Sequence, residues 1–143
     1  MAFITSSGTA KAVKIALASS LAIGGLLLSP LNAQERIENR VAVFAGIDKI
    51  TGRIHSFDVY IDETVQFGAL QVTPRICNSR PITEAPKTTS FVEVDEITLD
   101  SKIRRIFTGW MFADSPGLNA VENPVYDIWL KDCKMESDVP PPS

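Results

Sequence analysis

After residue 40, hydrophobic and polar residues alternate along much of the chain with the two-residue period of a β-strand. The clearest run covers residues 54–61. Within it, Phe57 and Val59 fall on one face and Ser56 falls on the other. Strands are predicted over seven segments: 41–47, 54–61, 65–67, 69–77, 91–97, 103–112 and 125–130. Short strands with turn-rich connections predict a mainly β fold, either an antiparallel sandwich or a small barrel.

Turn-forming residues mark the connections between these strands. Asp48 and Gly52 predict a hairpin turn over residues 48–53, because aspartate accepts backbone hydrogen bonds and glycine adopts positive φ. Residues 78–90 are polar and are predicted to form a surface loop. Residues 113–124 form a second loop, which exceeds the usual hairpin connection of about 2–5 residues.

The N-terminus has the pattern of a cleavable export signal. Lys11 and Lys14 supply a basic start, residues 15–28 carry no charge, and Ala33 is a small residue at the expected cleavage bond. The alternative is an uncleaved membrane anchor, but the uncharged run is short for a span of about 20 residues. The pattern therefore predicts export, cleavage after Ala33 and a periplasmic location.

The chain is predicted to contain one domain. Its expected parts are a signal peptide (1–33), a flexible arm (34–40), a single β domain (41–134) and a disordered tail (135–143). After cleavage, 12 basic residues face 17 acidic ones, a net charge of about −5. This charge disfavours binding to nucleic acid or anionic lipid, and no stable membrane span is expected after cleavage.

Cys77 and Cys133 are the only two cysteines. In an exported chain they predict one disulfide, which would join the end of a middle strand to the residues just after the last strand. Two separate buried thiols are the alternative. A zinc site is not expected, because two cysteines without a matching histidine or cysteine pair do not complete a ligand set.

No catalytic residue, metal site or cofactor is predicted. His55 is the only histidine, and alternation places it on the same strand face as Phe57, which favours a role in packing. Glu93 and Asp95 share a strand face, as a carboxylate pair or a calcium site would require. A solvated strand face is the expected explanation, because no metal-binding loop surrounds them.

Four aromatic residues near the C-terminus are the main candidates for binding: Trp110, Phe112, Tyr126 and Trp129. A small β domain buries most of its aromatic residues, so a place in the core is one interpretation. Trp110 and Phe112 share a strand face and precede the long loop, which is also how binding surfaces are built.

The long loop carries two apolar residues, Leu118 and Val121. They either present a partner-binding surface or dock onto the core and close one end of the sheet. The predicted binding residues are Trp110, Phe112, Leu118 and Val121.

Several short motifs together resemble a known family. They are Phe44–Arg53, Phe67–Gly68 before the strand that ends in Cys77, Phe107–Ala113, Asn123–Trp129 and Asp132–Lys134. Over about residues 41–134 the chain resembles domain-of-unknown-function family 2155, whose members are small exported proteins of α-proteobacteria. The resemblance implies an envelope location and pairing of the two cysteines, and it implies no activity.

Three functions follow from these observations. The first is a non-catalytic interaction or assembly module of the cell envelope, with an unknown envelope protein as partner. The second is a small-ligand or glycan binder that uses the aromatic patch. The third is a hydrolase, for which no catalytic group is recognised.

Overall fold

The computed structural model describes residues 35–142, and those residues form nine β-strands and no helix. The strands are β1 (Ile37–Glu38), β2 (Val41–Asp48), β3 (Arg53–Tyr60), β4 (Val65–Phe67), β5 (Leu70–Ser79), β6 (Thr89–Ile97), β7 (Ile103–Phe112), β8 (Val121–Glu122) and β9 (Tyr126–Lys134). Within the described part of the chain, no helix is long and apolar enough to cross a membrane.

The strands form two antiparallel sheets. Sheet A has the order β1-β5-β6-β7, with β4 also paired to β5, and sheet B has the order β3-β2-β9-β8. Side chains from both sheets meet in a single buried cluster, so the fold is a sandwich and not a barrel. The predicted antiparallel β class is therefore confirmed, and the structure selects between its two alternatives.

The core lies between the two sheets and is built from side chains of strands in both. Sheet B contributes Phe44, Val59, Ile128 and Leu130, and sheet A contributes Leu70, Val72, Val92, Val94 and Met111, all fully or almost fully buried. Burial of apolar area of this kind is the main favourable term in folding. The opposite face of each sheet is left for solvent or for a ligand.

The disulfide joins the two sheets through the core. Cys77 of β5 and Cys133 of β9 are bonded, with their Cα atoms 5.7 Å apart. The predicted bond is confirmed, but its expected position relative to β9 is wrong. Cys133 lies inside the strand, which continues to Lys134 through a register irregularity at Lys131 that lets both Leu130 and Cys133 point inward.

The turn between β2 and β3 forms as predicted. The Oδ1 atom of Asp48 accepts hydrogen bonds from the backbone N–H groups of Ile50 at 2.8 Å and Thr51 at 3.3 Å. Gly52 adopts a φ of 70°, a conformation that glycine reaches without steric cost.

Some predicted segments fall outside the described residues or stay predictions. The signal peptide, residues 1–33, lies outside them. Part of the expected arm, Ile37–Glu38, pairs with β5. In the expected tail, Ser137 donates a hydrogen bond to Asp58 at 2.5 Å, and the Val139 carbonyl accepts one from Tyr60 at 2.6 Å.

Candidate binding site

An exposed apolar row crosses the outer face of sheet A. Ile76 of β5, Phe91 of β6 and Trp110 of β7 are direct partners in the strand register. The side chains of their chain neighbours Val92 and Met111 point into the core, so the side chains of the row point away from it. Ile76 is 42% exposed and Trp110 is 38% exposed. The rings of Phe91 and Trp110 pack edge to face, with centroids 5.5 Å apart.

A pocket lies beside this row, at one end of the sheet. The next register row consists of Asn78, Thr89 and Phe112, two residues further along each strand. The pocket has a volume of about 300 Å³. It is lined by Arg36, Asn78, Ser79, Arg80, Lys87, Thr89, Trp110 and Phe112. Three cationic and three uncharged polar side chains therefore surround two aromatic rings.

The three cations of the pocket come from chain segments that flank the strands. Arg36 precedes β1, Arg80 follows β5 and Lys87 precedes β6. None of them forms an ion pair with an acidic residue among residues 35–142. Arg80 donates one hydrogen bond, from Nη1 to the backbone carbonyl of Glu35, at 3.3 Å. The pocket lining thus carries cations and no acidic residue, whereas Arg80 and Lys87 also line a neighbouring pocket with Glu84 and Asp114.

The other end of the same face carries charges that are paired. Arg75 contacts Asp62 at 3.1 Å and Glu93 at 2.9 Å, while Arg105 contacts Asp95 at 2.5 Å. Hydrogen bonds from Arg75 to Asp62 and then to Glu93 raise the pKa of Arg75 above its ordinary value. The hydrogen bond to Asp95 raises the pKa of Arg105 in the same way.

The carboxylates predicted to share a face, Glu93 and Asp95, do so. Both carboxylates contact arginine: Arg105, which contacts Asp95, also lies 3.5 Å from Glu93. In residues 35–142 no group of three or more histidine, cysteine and acidic side chains is arranged to hold a metal ion.

Asn78 gives the pocket a buried polar wall. It is 5% exposed, and its Oδ1 atom has no hydrogen-bond donor within residues 35–142. A buried carbonyl without a donor is rare, because losing its hydrogen bond to water costs free energy. The pocket therefore combines a buried amide wall with cations that have no ion pair among residues 35–142.

The structure separates the four aromatic residues that the sequence grouped. Trp110 and Phe112 both line the pocket. Tyr126 instead packs edge to face on Phe67, with centroids 5.7 Å apart, and Trp129 lies on β9 of the other sheet. Of these four, only Trp110 and Phe112 belong to the candidate site.

The two apolar residues of the long loop are also separated. Leu118 is 74% exposed, whereas Val121 begins β8 and is 3% exposed in the core. Between them, the Nδ2 atom of Asn119 donates a hydrogen bond to the Trp110 carbonyl at 2.6 Å. The loop is thereby fixed against the edge of β7 beside the pocket.

His55 lies away from this site, on β3 of sheet B, where it pairs with Gly46 of β2. It is exposed, because the end of β3 next to the turn extends past the core. The expected role of His55 in packing is therefore wrong.

The polar part of the pocket has no signature in the sequence pattern. Arg36 lies far in sequence from Arg80 and Lys87, and the three residues have no shared period. Only the pairing of β1 with β5, and of β5 with β6, brings them to one end of sheet A. The one sequence signal that would have indicated these cations is the number of basic residues in the segments that flank these strands.

Comparisons with known proteins agree on a family and on no activity. A family model described as "Uncharacterized protein conserved in bacteria (DUF2155)" matches residues 42–133. An uncharacterized protein of Rickettsia prowazekii (strain Madrid E) is 25% identical over 87 residues, which is 61% of this chain and 56% of that protein. The chain thus spans little more than half the length of this curated relative. No solved structure matches the chain.

Proposed function

Because the chain belongs to domain-of-unknown-function family 2155, we propose that it is an exported, non-catalytic binding module of the bacterial cell envelope. Its binding surface is the end of the outer face of sheet A around Trp110. The resemblance inferred from the motifs of residues 44–53 and 123–129 is confirmed by the family match, which covers both. The location in the cell envelope and the binding role are the parts that we propose.

Two features of the chain support the envelope location. The first 33 residues have the basic, apolar and small-residue order of an export signal. The Cys77–Cys133 disulfide is of the kind that persists in oxidising compartments such as the periplasm.

The observation that carries the binding role is the apolar row beside a polar pocket. Ile76 and Trp110 remain exposed although the sandwich has a complete core on the other face of the sheet. Exposed apolar side chains next to a concave polar site are typical of surfaces that bind ligands or partners.

Two occupants of this surface are expected from the sequence: an envelope protein, and a small ligand or glycan. The pocket favours the second. It is compact, at about 300 Å³, and it places a few polar groups around aromatic rings, as small-ligand sites do. A protein partner would instead use a broad patch of roughly 800 Å² on each side.

Site-specific photo-crosslinking in living cells tests the proposal. A photoreactive amino acid is placed at Ile76 in the apolar row, and a matched control is placed at Ile54, an isoleucine that is 59% exposed on β3. The expected result is a crosslink to an envelope component from the first position only. Equal crosslinks from both positions, or none from Ile76, would contradict the binding surface.

Export is checked in the same cells. Protein recovered from the periplasmic fraction is expected to begin at Gln34 when its N-terminus is sequenced. An intact Met1 in the membrane pellet would contradict the export part of the proposal.

A further inference from the structure

We propose that the pocket beside Trp110 binds an acidic saccharide, that is, a sugar ring bearing a carboxylate or phosphate group. This inference rests on the proposed function, because it takes the Trp110 end of sheet A as the binding surface. It adds the chemical class of the ligand, which neither the family description nor the relative's description assigns.

The negative charge of the ligand follows from the cations of the pocket. Arg36, Arg80 and Lys87 converge on about 300 Å³ without an acidic partner among residues 35–142. Cations held close together repel one another, and a chain with excess acid could have paired them. The planar guanidinium fork of arginine matches the oxygens of a carboxylate or phosphate, which makes such an anion the expected occupant.

The sugar ring follows from the aromatic wall. Trp110 is 38% exposed, and its edge-to-face contact with Phe91 holds the indole in place. The face of an aromatic ring is electron-rich and attracts the weakly positive C–H groups of a pyranose. A rigid, partly exposed indole is therefore a suitable platform for a ring that is apolar on its faces and polar on its rim.

The hydroxyl groups of the ligand follow from the uncharged wall. Ser79 and Thr89 supply hydroxyls that both donate and accept. Each of these groups can pair with a sugar hydroxyl, which also donates and accepts. A small anion without hydroxyl groups would leave these hydrogen-bonding groups unused.

A peptide is a poorer occupant of the same place. Extended peptides bind by adding a strand to a free sheet edge. At this end of sheet A, β1 already pairs with Asn78 and Ser79 of β5, and Asn119 occupies the Trp110 carbonyl on β7. The edge of β5 is thus covered by the two-residue β1, and one carbonyl of the edge strand β7 is already taken.

Titration calorimetry on the purified protein tests the ligand class. The probes are N-acetylmuramic acid and glucose 6-phosphate, their neutral counterparts N-acetylglucosamine and glucose, and acetate and inorganic phosphate as anions without a ring. At least one acidic sugar is expected to bind about tenfold or more tightly than its neutral counterpart and its free anion, since charge-assisted hydrogen bonds add to ring contacts.

Variants of the pocket sharpen the test. Lys87→Gln and Arg80→Gln are each expected to weaken binding of the acidic sugar about tenfold and to leave any neutral-sugar binding unchanged. The matched control is Arg53→Gln, an equal loss of charge on β3 of the opposite sheet, which is expected to have no effect. Trp110→Ala is expected to abolish binding, and Trp110→Phe to retain part of it.

Three results would overturn the inference. Equal affinity for neutral sugars would remove the role of the cations, and equal affinity for acetate or phosphate would leave a simple anion site. Absence of binding by all probes would remove the ligand class. Crosslinks from Ile76 that persist in that last case would leave the proposed function standing, so the two failures are distinguishable.

A final arm identifies the source of the saccharide. Co-sedimentation with purified peptidoglycan tests the carboxylated sugar, and binding to immobilised lipopolysaccharide tests the phosphorylated one. Retention by either polymer that is lost in Lys87→Gln supports the inference. Retention that is equal in Lys87→Gln and in Arg53→Gln contradicts it.

Discussion

The two ends of the outer face of sheet A carry similar residues in opposite arrangements. At one end, Arg75 and Arg105 each contact one or more carboxylates. At the other end, Arg36, Arg80 and Lys87 surround a pocket and have no ion pair within residues 35–142. The Ile76–Phe91–Trp110 row lies between the two ends.

The difference shows which charges the fold uses for itself. Arg105 faces Asp95 directly across the register of β6 and β7. Arg75 lies at the register irregularity of β5 and reaches Glu93 of β6 and Asp62 in the turn after β3. The pocket cations project from flanking segments and no strand opposes them with an acid. Charges that the fold leaves unpaired are those available to a ligand.

Removal of the disulfide is expected to have the largest effect. Cys77 directly precedes Asn78 and Ser79 of the pocket, and its bond to Cys133 ties this end of β5 to sheet B. Replacing both cysteines by alanine is expected to lower the free energy of unfolding by about 2–5 kcal/mol, measured by urea denaturation.

The same variant sharpens the comparison between the two ends. Amide hydrogen exchange is expected to accelerate more at Asn78 and Ser79 than at Leu70 and Val72, which lie at the opposite end of β5. Uniform acceleration along β5 would contradict a local role for the bond at the pocket, and an unchanged unfolding midpoint would contradict its contribution to stability.

The contact between Phe91 and Trp110 is expected to have the next largest effect. Edge-to-face aromatic pairs contribute about 0.5–1.5 kcal/mol beyond the area they bury. A double-mutant cycle with Phe91→Ala and Trp110→Ala is therefore expected to give a coupling energy near 1 kcal/mol in urea denaturation. A coupling energy of zero would show that the row exists without stabilising the sheet.

Most of the fold could be predicted from the sequence, because its core alternates. The predicted range of β7, residues 103–112, is the observed one. β9 was predicted to end at Leu130 but continues to Lys134, since Lys131 and Asp132 are exposed residues of a strand whose Cys133 points inward. β1 and β8 have only two residues each, too few for any period to be visible.

The site could be predicted only in part, for a different physical reason. Trp110 and Phe112 share a strand, so one local period places both on the outer face. Which cations meet at the pocket depends on strand pairing between distant segments, as between Arg36 beside β1 and Lys87 beside β6. Leu118 and Val121 lie in one loop, yet only the register of β8 with β9 buries the second.

Neutralising one cation at each end of this face is expected to change the free energy of unfolding by different amounts, both smaller than the effects above. Arg75→Gln breaks two ion pairs that are partly exposed, which is expected to cost up to about 1 kcal/mol of unfolding free energy. Lys87→Gln breaks none and is expected to change that free energy by less than about 0.5 kcal/mol. Matched urea denaturation of the two variants checks this order, and a larger loss for Lys87→Gln would reverse it.

Acid pH provides the smallest expected effect, and it is followed at Glu96, which lies on the core-side face of sheet A in register with buried Leu70. Glu96 of β6 accepts a hydrogen bond from Arg104 at 2.5 Å and another from Asn123 at 3.0 Å, and these lower its pKa below the ordinary value, the one from Arg104 most. The charged carboxylate is thus favoured in the folded state. Its contribution to stability is complete above the unfolded-state pKa of about 4.3 and is lost as the pH falls through the lower folded-state pKa.

Thermal unfolding between pH 5 and pH 3 measures this contribution. The melting temperature of the wild-type protein is expected to fall more steeply over this interval than that of Glu96→Gln, because the variant has no carboxylate to protonate there. Glu63→Gln, a change at an exposed glutamate without an ion pair among residues 35–142, is the control and is expected to follow the wild type more closely. Parallel curves for the wild type and Glu96→Gln would show that the Arg104 contact does not stabilise the folded protein.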